Sequence, residues 1–140
     1  MHRNHQAIAD CYAPDATFKD IAFDLSSKKK IHAMWHMITA AEVYVTYNVE
    51  SCDQQKGVVR WVADYVFKET GRPVHNDLQS AFVLRNGLIL QQRDDCDTRK
   101  WCMQARGPII GPLAWLIPWI RQKTAADKLD EFIRHNPQFQ

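Results

Sequence analysis

The stretch "VHNDLQSAFVLRNGLILQQRDDCD", Val74 to Asp97, decides the fold. Two runs of residues with period-two alternation, Val74 to Leu84 and Leu88 to Asp97, flank "RNG", and Asn86-Gly87 is a strong signal for a type I′ hairpin turn. Asn76, Leu78, Ser80, Phe82 and Leu84 then share one face of the first strand. His75, Asp77, Gln79, Ala81 and Val83 share the other. In the second strand Leu90, Gln92 and Asp94 fall on one face.

Upstream of this hairpin the pattern repeats. "ETGRP" separates Val74 from a strand at Val58 to Lys68, and "DQQKG" separates that from one at Val43 to Cys52. Both connections carry turn chemistry, so the four strands form an antiparallel meander. Trp61, Ala63, Tyr65 and Phe67 make an aromatic inward face. Arg60, Val62, Asp64, Val66 and Lys68 face out. The inward set mixes polar Asn76 and Ser80 with apolar residues, which suits a ligand cavity better than a dry core.

Helices are expected on either side of the strands. "NHQAIADCY" reads as a short helix capped by Asn4, and "SKKKIHAMWHMITAA" as a second, capped by Ser26 or Ser27, with Ile31, Met34, Trp35 and Ile38 on one face. "WIRQKTAADKLDEFIRHN" reads as a last helix, carrying Ala126, Leu129 and Ile133 on one side. Before it lies "GPIIGPLAWLIPWI", Gly107 to Ile120, an apolar segment interrupted by Gly111, Pro112 and Pro118 and too short to span a bilayer.

With 140 residues the chain is expected to form one domain, residues 1–106 giving helices and sheet and residues 107–140 a covering segment and helix. A formal charge of +2 argues against a nucleic-acid or anionic-membrane partner. Cys11, Cys52, Cys96 and Cys102 show no CxxC pair, and no signal-peptide core is evident, so the expected compartment is the reducing cytoplasm.

"CYAPDATFKD", the helix with "AMWHM", the hairpin "YVFKETGRPVHN" and "FVLRNGLILQQRDDCD" together resemble the SnoaL-like branch of the nuclear transport factor two-like superfamily, which also holds ketosteroid isomerase and limonene epoxide hydrolase. The resemblance covers nearly the whole chain. It implies an α+β cone in which a curved antiparallel sheet wraps round N-terminal helices and leaves an apolar pocket at the open end. It also implies a homodimer formed through the outer sheet face, where Val62, Val66, Ala81 and Val83 lie. Related cones begin with a longer helix, which leads to the expectation of a late start or a lost helix here, with residues 107–120 folding back over the cavity.

By the same resemblance Asp20 falls where ketosteroid isomerase holds its general-base carboxylate, and Ser80 where that enzyme holds a protonated Asp. The isomerase's oxyanion Tyr has no counterpart. Of the Arg and two Asp residues of limonene epoxide hydrolases only the last-strand Asp is matched, by Asp94, with Leu78 and Ser80 in the other two places. Polyketide cyclases of this branch use an acid on the same last strand, so Asp94 is the leading candidate acid.

Asp20 reads either as a base at the pocket mouth or as a solvated turn acid. Asp94 reads either as a catalytic acid or as half of a structural ion pair. Trp35, Trp61, Tyr65, Phe67 and Phe82 are expected as cavity wall, with Asn76 and Ser80 as hydrogen-bonding partners of a ligand or of the backbone. His32 and His36 have helical i, i+4 spacing but no evident third ligand, and strand parity turns Asp94 away from Asp95 and Asp97, so no metal and no cofactor are expected. The expected partner is an apolar small molecule carrying a carbonyl or hydroxyl, with neither nucleic acid nor membrane. The expected activity is cofactor-free isomerisation, cyclisation or dehydration. The alternative is a non-catalytic carrier or dimeric interaction module.

Overall fold

A computed structural model describes residues 4–140. Its centre is a six-stranded sheet in the order β2-β1-β6-β5-β4-β3. The four long strands are β3 (Val43–Cys52), β4 (Lys56–Phe67), β5 (Arg72–Arg85) and β6 (Leu88–Cys96), joined by successive hairpins. The β5–β6 turn has Asn86 at φ 53° and Gly87 at φ 76°, the pair of positive φ values that a type I′ turn needs. The turn pairs Arg85 with Leu88 and Leu84 with Ile89, and a bulge between Val83 and Leu84 then shifts the register by one residue, which sets Ser80 opposite Asp94 and Phe82 opposite Gln92.

The first part of the chain closes one side of the sheet. Asn4 caps α1 (His5–Asp10) by accepting a bond from the Ala7 N–H, and β1 (Tyr12–Lys19) then runs parallel to β6, in a pairing that hairpin logic alone does not predict. The short β2 (Asp24–Ser26) returns antiparallel to β1. Ser27 caps α2 (Lys28–Thr39), whose Ile31, Ala33 and Met34 are buried against Tyr12, Ala13, Ala16 and Phe18 of β1. Leu129 and Phe139 from the C-terminal part complete this core.

After β6 the structure departs from the sequence expectation. Asp97 caps a helix, α3 (Thr98–Leu116), whose first part lies in a stretch to which the sequence reading assigned no element. Alternation hid it, because the strand pattern runs up to its capping residue. Gly107, at φ 82°, breaks α3 into two arms, a backbone conformation that favours glycine. The carbonyls ending the first arm are held by the β4–β5 hairpin: Arg72 Nε donates to Gln104 O at 2.8 Å and Thr70 Oγ1 to Ala105 O. The second arm folds back so closely that a Cβ on Gly111 would lie 2.9 Å from Cys102 O. Ile117 then turns the chain into α4 (Pro118–His135), and a single 3₁₀ turn follows at Pro137–Phe139.

The covering part of this region is also not the one anticipated. Trp101, in the first arm, meets Phe67 edge-on at 5.7 Å and donates from Nε1 to the Tyr65 hydroxyl at 2.7 Å. Residues 107–120, assigned the covering role on sequence grounds, bury Gly107, Gly111 and Ala114 and turn their large apolar side chains outward. Among the described residues no helix is long and apolar enough to cross a membrane.

Candidate functional site

Strand parity places the chemistry. The neighbours Trp61, Leu78 and Cys96 share the inward face, as do Val59, Ser80 and Asp94 two residues along. Trp61, Tyr65, Phe67, Leu78 and Phe82 are partly buried, whereas Ser80, Gln92 and Asp94 are 1%, 6% and 4% exposed. The wall candidates on the strands, Trp61, Tyr65, Phe67 and Phe82, therefore share the inward face, with three polar side chains at its buried end.

Those three groups belong to a continuous hydrogen-bonded chain. Trp61 Nε1 donates to Ser80 Oγ at 2.8 Å, and Ser80 Oγ donates to Asp94 Oδ1. From the other side Gln92 Nε2 approaches Oδ1 at 2.9 Å and Oδ2 at 3.1 Å. The Gln92 carbonyl accepts from the Tyr12 hydroxyl, which accepts from Trp35 Nε1 at 3.1 Å. Ser80 and Trp35 are thereby engaged with protein groups rather than standing free for a ligand. Gln92 and Tyr12 were missed as site residues, although Gln92 shares Asp94's strand face and Tyr12 opens the strand parallel to it.

Burial is the dominant influence on Asp94 and raises its pKa from 3.8 to about 6. The donors Ser80 and Gln92 oppose the rise, and the negative charges of Asp20 and Asp95 add to it. Among the described residues no cation pairs with this carboxyl, and Arg93 is on the opposite face with Asp95, 3.6 Å away. An acid so placed is divided between its two protonation states near neutral pH. The proton fits best on Oδ2, whose single partner is the longer contact to Gln92.

Asp20 lies in the turn after β1. Its Oδ1 accepts from the Ala22 and Phe23 N–H groups at 2.7 and 2.6 Å, an Asx-type turn. Burial raises its pKa, while those two N–H groups and the charge of Arg121 pull it back. Its charge raises the pKa values of Asp94, Tyr65 and Cys96, and on β1 parity Asp20 follows Phe18, the partner of Gln92. Asn76 hydrogen-bonds the Cys96 thiol, whose pKa burial pushes up to about 11. One oxygen of Asp20 thus closes a turn, and its carboxyl is shielded from solvent rather than fully solvated.

Two shallow hollows lie on the outward face instead, one lined by Thr46, Arg60, Val62 and Asp77 and the other by Tyr44, Asp64, Val66 and His75. Neither touches Asp94. His32 and His36 pack with His5, Phe132 and Phe139 rather than converging on one point, and among the described residues no cluster of metal-ligating side chains is found.

A curved sheet with a buried carboxyl on its concave side, helices closing one flank, is the architecture of the nuclear transport factor two-like cones. The chain belongs to the SnoaL-like domain family, whose model matches residues 2–92. Solved structures share the fold at low identity. A protein of ketosteroid isomerase-like fold from Catenulispora acidiphila, crystallised with trimethylamine, is 18% identical with a TM-score of 0.64, over 75% of this chain and 84% of that one. A Mesorhizobium loti protein provisionally named a SnoaL-like polyketide cyclase is 19% identical with a TM-score of 0.58, over 64% and 83%. SalBIII, an epoxide hydrolase/cyclase-like enzyme of pyran ring formation in salinomycin, is 15% identical with a TM-score of 0.61, over 70% and 81%. No curated protein matches the chain.

Proposed function

We propose that the protein binds an apolar small molecule carrying a carbonyl or hydroxyl on the concave face of its sheet and catalyses a cofactor-free isomerisation, cyclisation or dehydration there. The observation that carries this reading is the Asp94 carboxyl, buried without a cation among the described residues and poised at about 6. In its protonated form Asp94 donates to a substrate oxygen, and the carboxylate left behind is held by the hydroxyl of Ser80 and the amide of Gln92. Asp20, whose charge reaches the same interior, accepts a proton from carbon. Trp61, Tyr65, Phe67 and Phe82 supply the apolar wall. The cyclase and epoxide hydrolase/cyclase-like proteins of the same fold support proton-transfer chemistry as a class.

A second reading, a non-catalytic carrier, is favoured by the two backbone bonds to Asp20 Oδ1, which tie down the proposed base. The two are separated by identifying co-purifying ligands by native mass spectrometry, screening these and related ketones and epoxides for turnover, and comparing Asp94→Asn. Loss of turnover at least a hundredfold with ligand affinity retained supports the enzyme. Wild-type turnover in the variant refutes it.

A further inference from the structure

From Pro108 to Ile120 the usual helix polarity is inverted. The small residues Gly107, Gly111 and Ala114 face the protein, while Ile109, Ile110, Leu113, Leu116 and Trp119 are 85%, 55%, 55%, 63% and 62% exposed. Ile109, Leu113 and Leu116 fall at i, i+4 and i+7 along the second arm of α3, in one stripe. Trp115 lies on the same arm, and Trp119 and Ile120 follow in the first turn of α4, beyond the bend at Ile117. A contiguous patch of this kind marks an interaction surface.

The patch is held outward by the fold. Gly111 allows the second arm to lie against Cys102 and Met103, so the arm cannot roll without driving larger residues into that contact. Arg121, itself buried, staples the bend: its Nη1 donates to Ala114 O at 2.9 Å and its Nε to Ile21 O at 2.6 Å. The second bond ties the patch to the turn that follows Asp20.

Charge identifies the occupant. Between Thr98 and Ala126 there is no Asp or Glu, but there are Arg99, Lys100, Arg106, Arg121 and Lys123. Arg106 is paired with Glu69, and Arg121 is buried. Lys123 is paired with Asp127 at 2.6 Å, which leaves Arg99 and Lys100 as the exposed cations, the Arg99 guanidinium 5.6 Å from the Trp115 ring centre. A second copy docked by the same patch would add further cations and no carboxylate from residues 98–126. An anionic headgroup layer supplies the missing charge, and tryptophans beside an aliphatic stripe suit the boundary between headgroups and acyl chains.

We propose that the outward face of residues 108–120 docks the protein on an anionic lipid surface, lying in the interface without spanning it. This goes beyond the proposed chemistry, and it revises the expectation of no membrane partner, which rested on the low net charge and the segment's inability to cross a bilayer. Docking sets the turn after Asp20 beside the lipid, from which an apolar substrate could be drawn.

The test is flotation of the full chain with vesicles of phosphatidylcholine alone and with about 30 mol% phosphatidylserine, with tryptophan emission recorded alongside. The expected result is binding at least about tenfold tighter to the anionic vesicles, weakened by salt, with a blue shift of emission. Combined Ile109→Glu, Leu113→Glu and Leu116→Glu should abolish binding; since all three side chains are exposed, an unchanged circular dichroism spectrum is expected. Arg99→Gln with Lys100→Gln should lower the anionic preference while keeping the fold. Equal binding to both vesicle types, or no binding to either, overturns the proposal. So does a triple variant that leaves vesicle binding intact or that changes the sedimenting species, since the latter shows a second copy on the patch.

Discussion

Asp94→Asn also tests the burial argument with no substrate in hand. Burial lifts the carboxyl from 3.8 to about 6, and at about 1.4 kcal/mol per unit the charged form costs the folded state about 3 kcal/mol. Between about pH 4 and 6 the folded protein keeps a proton that the unfolded chain has released, so stability falls as pH rises through this window. Below it both states are protonated and the cost is absent. Above about pH 7 both are ionised and the whole cost is present. An amide has no such proton, so the variant's unfolding free energy minus that of the wild type should climb by about 3 kcal/mol from about pH 4 to 7.5 and then level off. Beneath this climb sits a constant offset. If the new NH₂ takes the place of Oδ2 it faces Gln92 Nε2 at 3.1 Å, donor against donor, and costs about 1–3 kcal/mol. Other titrating groups, Asp20 among them, are common to both proteins and cancel to first order in the difference. Urea unfolding followed by tryptophan fluorescence at half-unit pH steps measures the curve. A difference that stays constant across the range would mean that Asp94 ionises as it does in water, and the argument for a poised acid would fail.

Three further outcomes are expected. Tyr12→Phe removes the hydroxyl between Trp35 and Gln92 and leaves two buried polar groups without that partner, so urea unfolding should show a loss of about 1–3 kcal/mol; an unchanged midpoint would show that the chain of bonds is not formed. Gly111→Ala places a methyl 2.9 Å from Cys102 O, and the overpacking should cost about 1–3 kcal/mol, with a wild-type melting temperature counting against the folded-back arm. Val66, 58% exposed on the outward face that also carries Val62 and Ala81, should lie in a sheet-to-sheet homodimer, so sedimentation should give a dimer that Val66→Glu disrupts, and a monomeric wild type at micromolar concentration would rule the dimer out.

The meander was legible because a strand writes its burial in alternate letters and a turn in a few obligate ones. Asn86-Gly87 fixed one hairpin, but the turn by itself pairs Ser80 with Arg93, and it is the bulge between Val83 and Leu84 that shifts the register by one and brings Asp94 to the side that Trp61 and Ser80 occupy. That Arg93 lies on the face opposite Asp94 was legible from parity alone, but the burial that raises the Asp94 pKa rests on the bulge. The first arm of α3 was not legible, because "DTRKWCMQAR" has no clean apolar stripe. It is fixed as a helix by the Asp97 cap and by Arg72 and Thr70 reaching its last carbonyls from a hairpin some thirty residues earlier.

What the sequence by itself determined, then, is local: the period of each strand, the chemistry of each turn, and the face on which each side chain falls. What only the tertiary structure decided is which distant groups share a bond or a dielectric. Tyr12 reaches Gln92 because β1 runs parallel to β6, Asp20 senses Asp94 across an interior, and Gly111 presses one arm of a helix against the other so that its leucines and tryptophans face out. Burial and hydrogen bonding act through space, and no window of neighbouring letters encodes a contact between residues 80 positions apart.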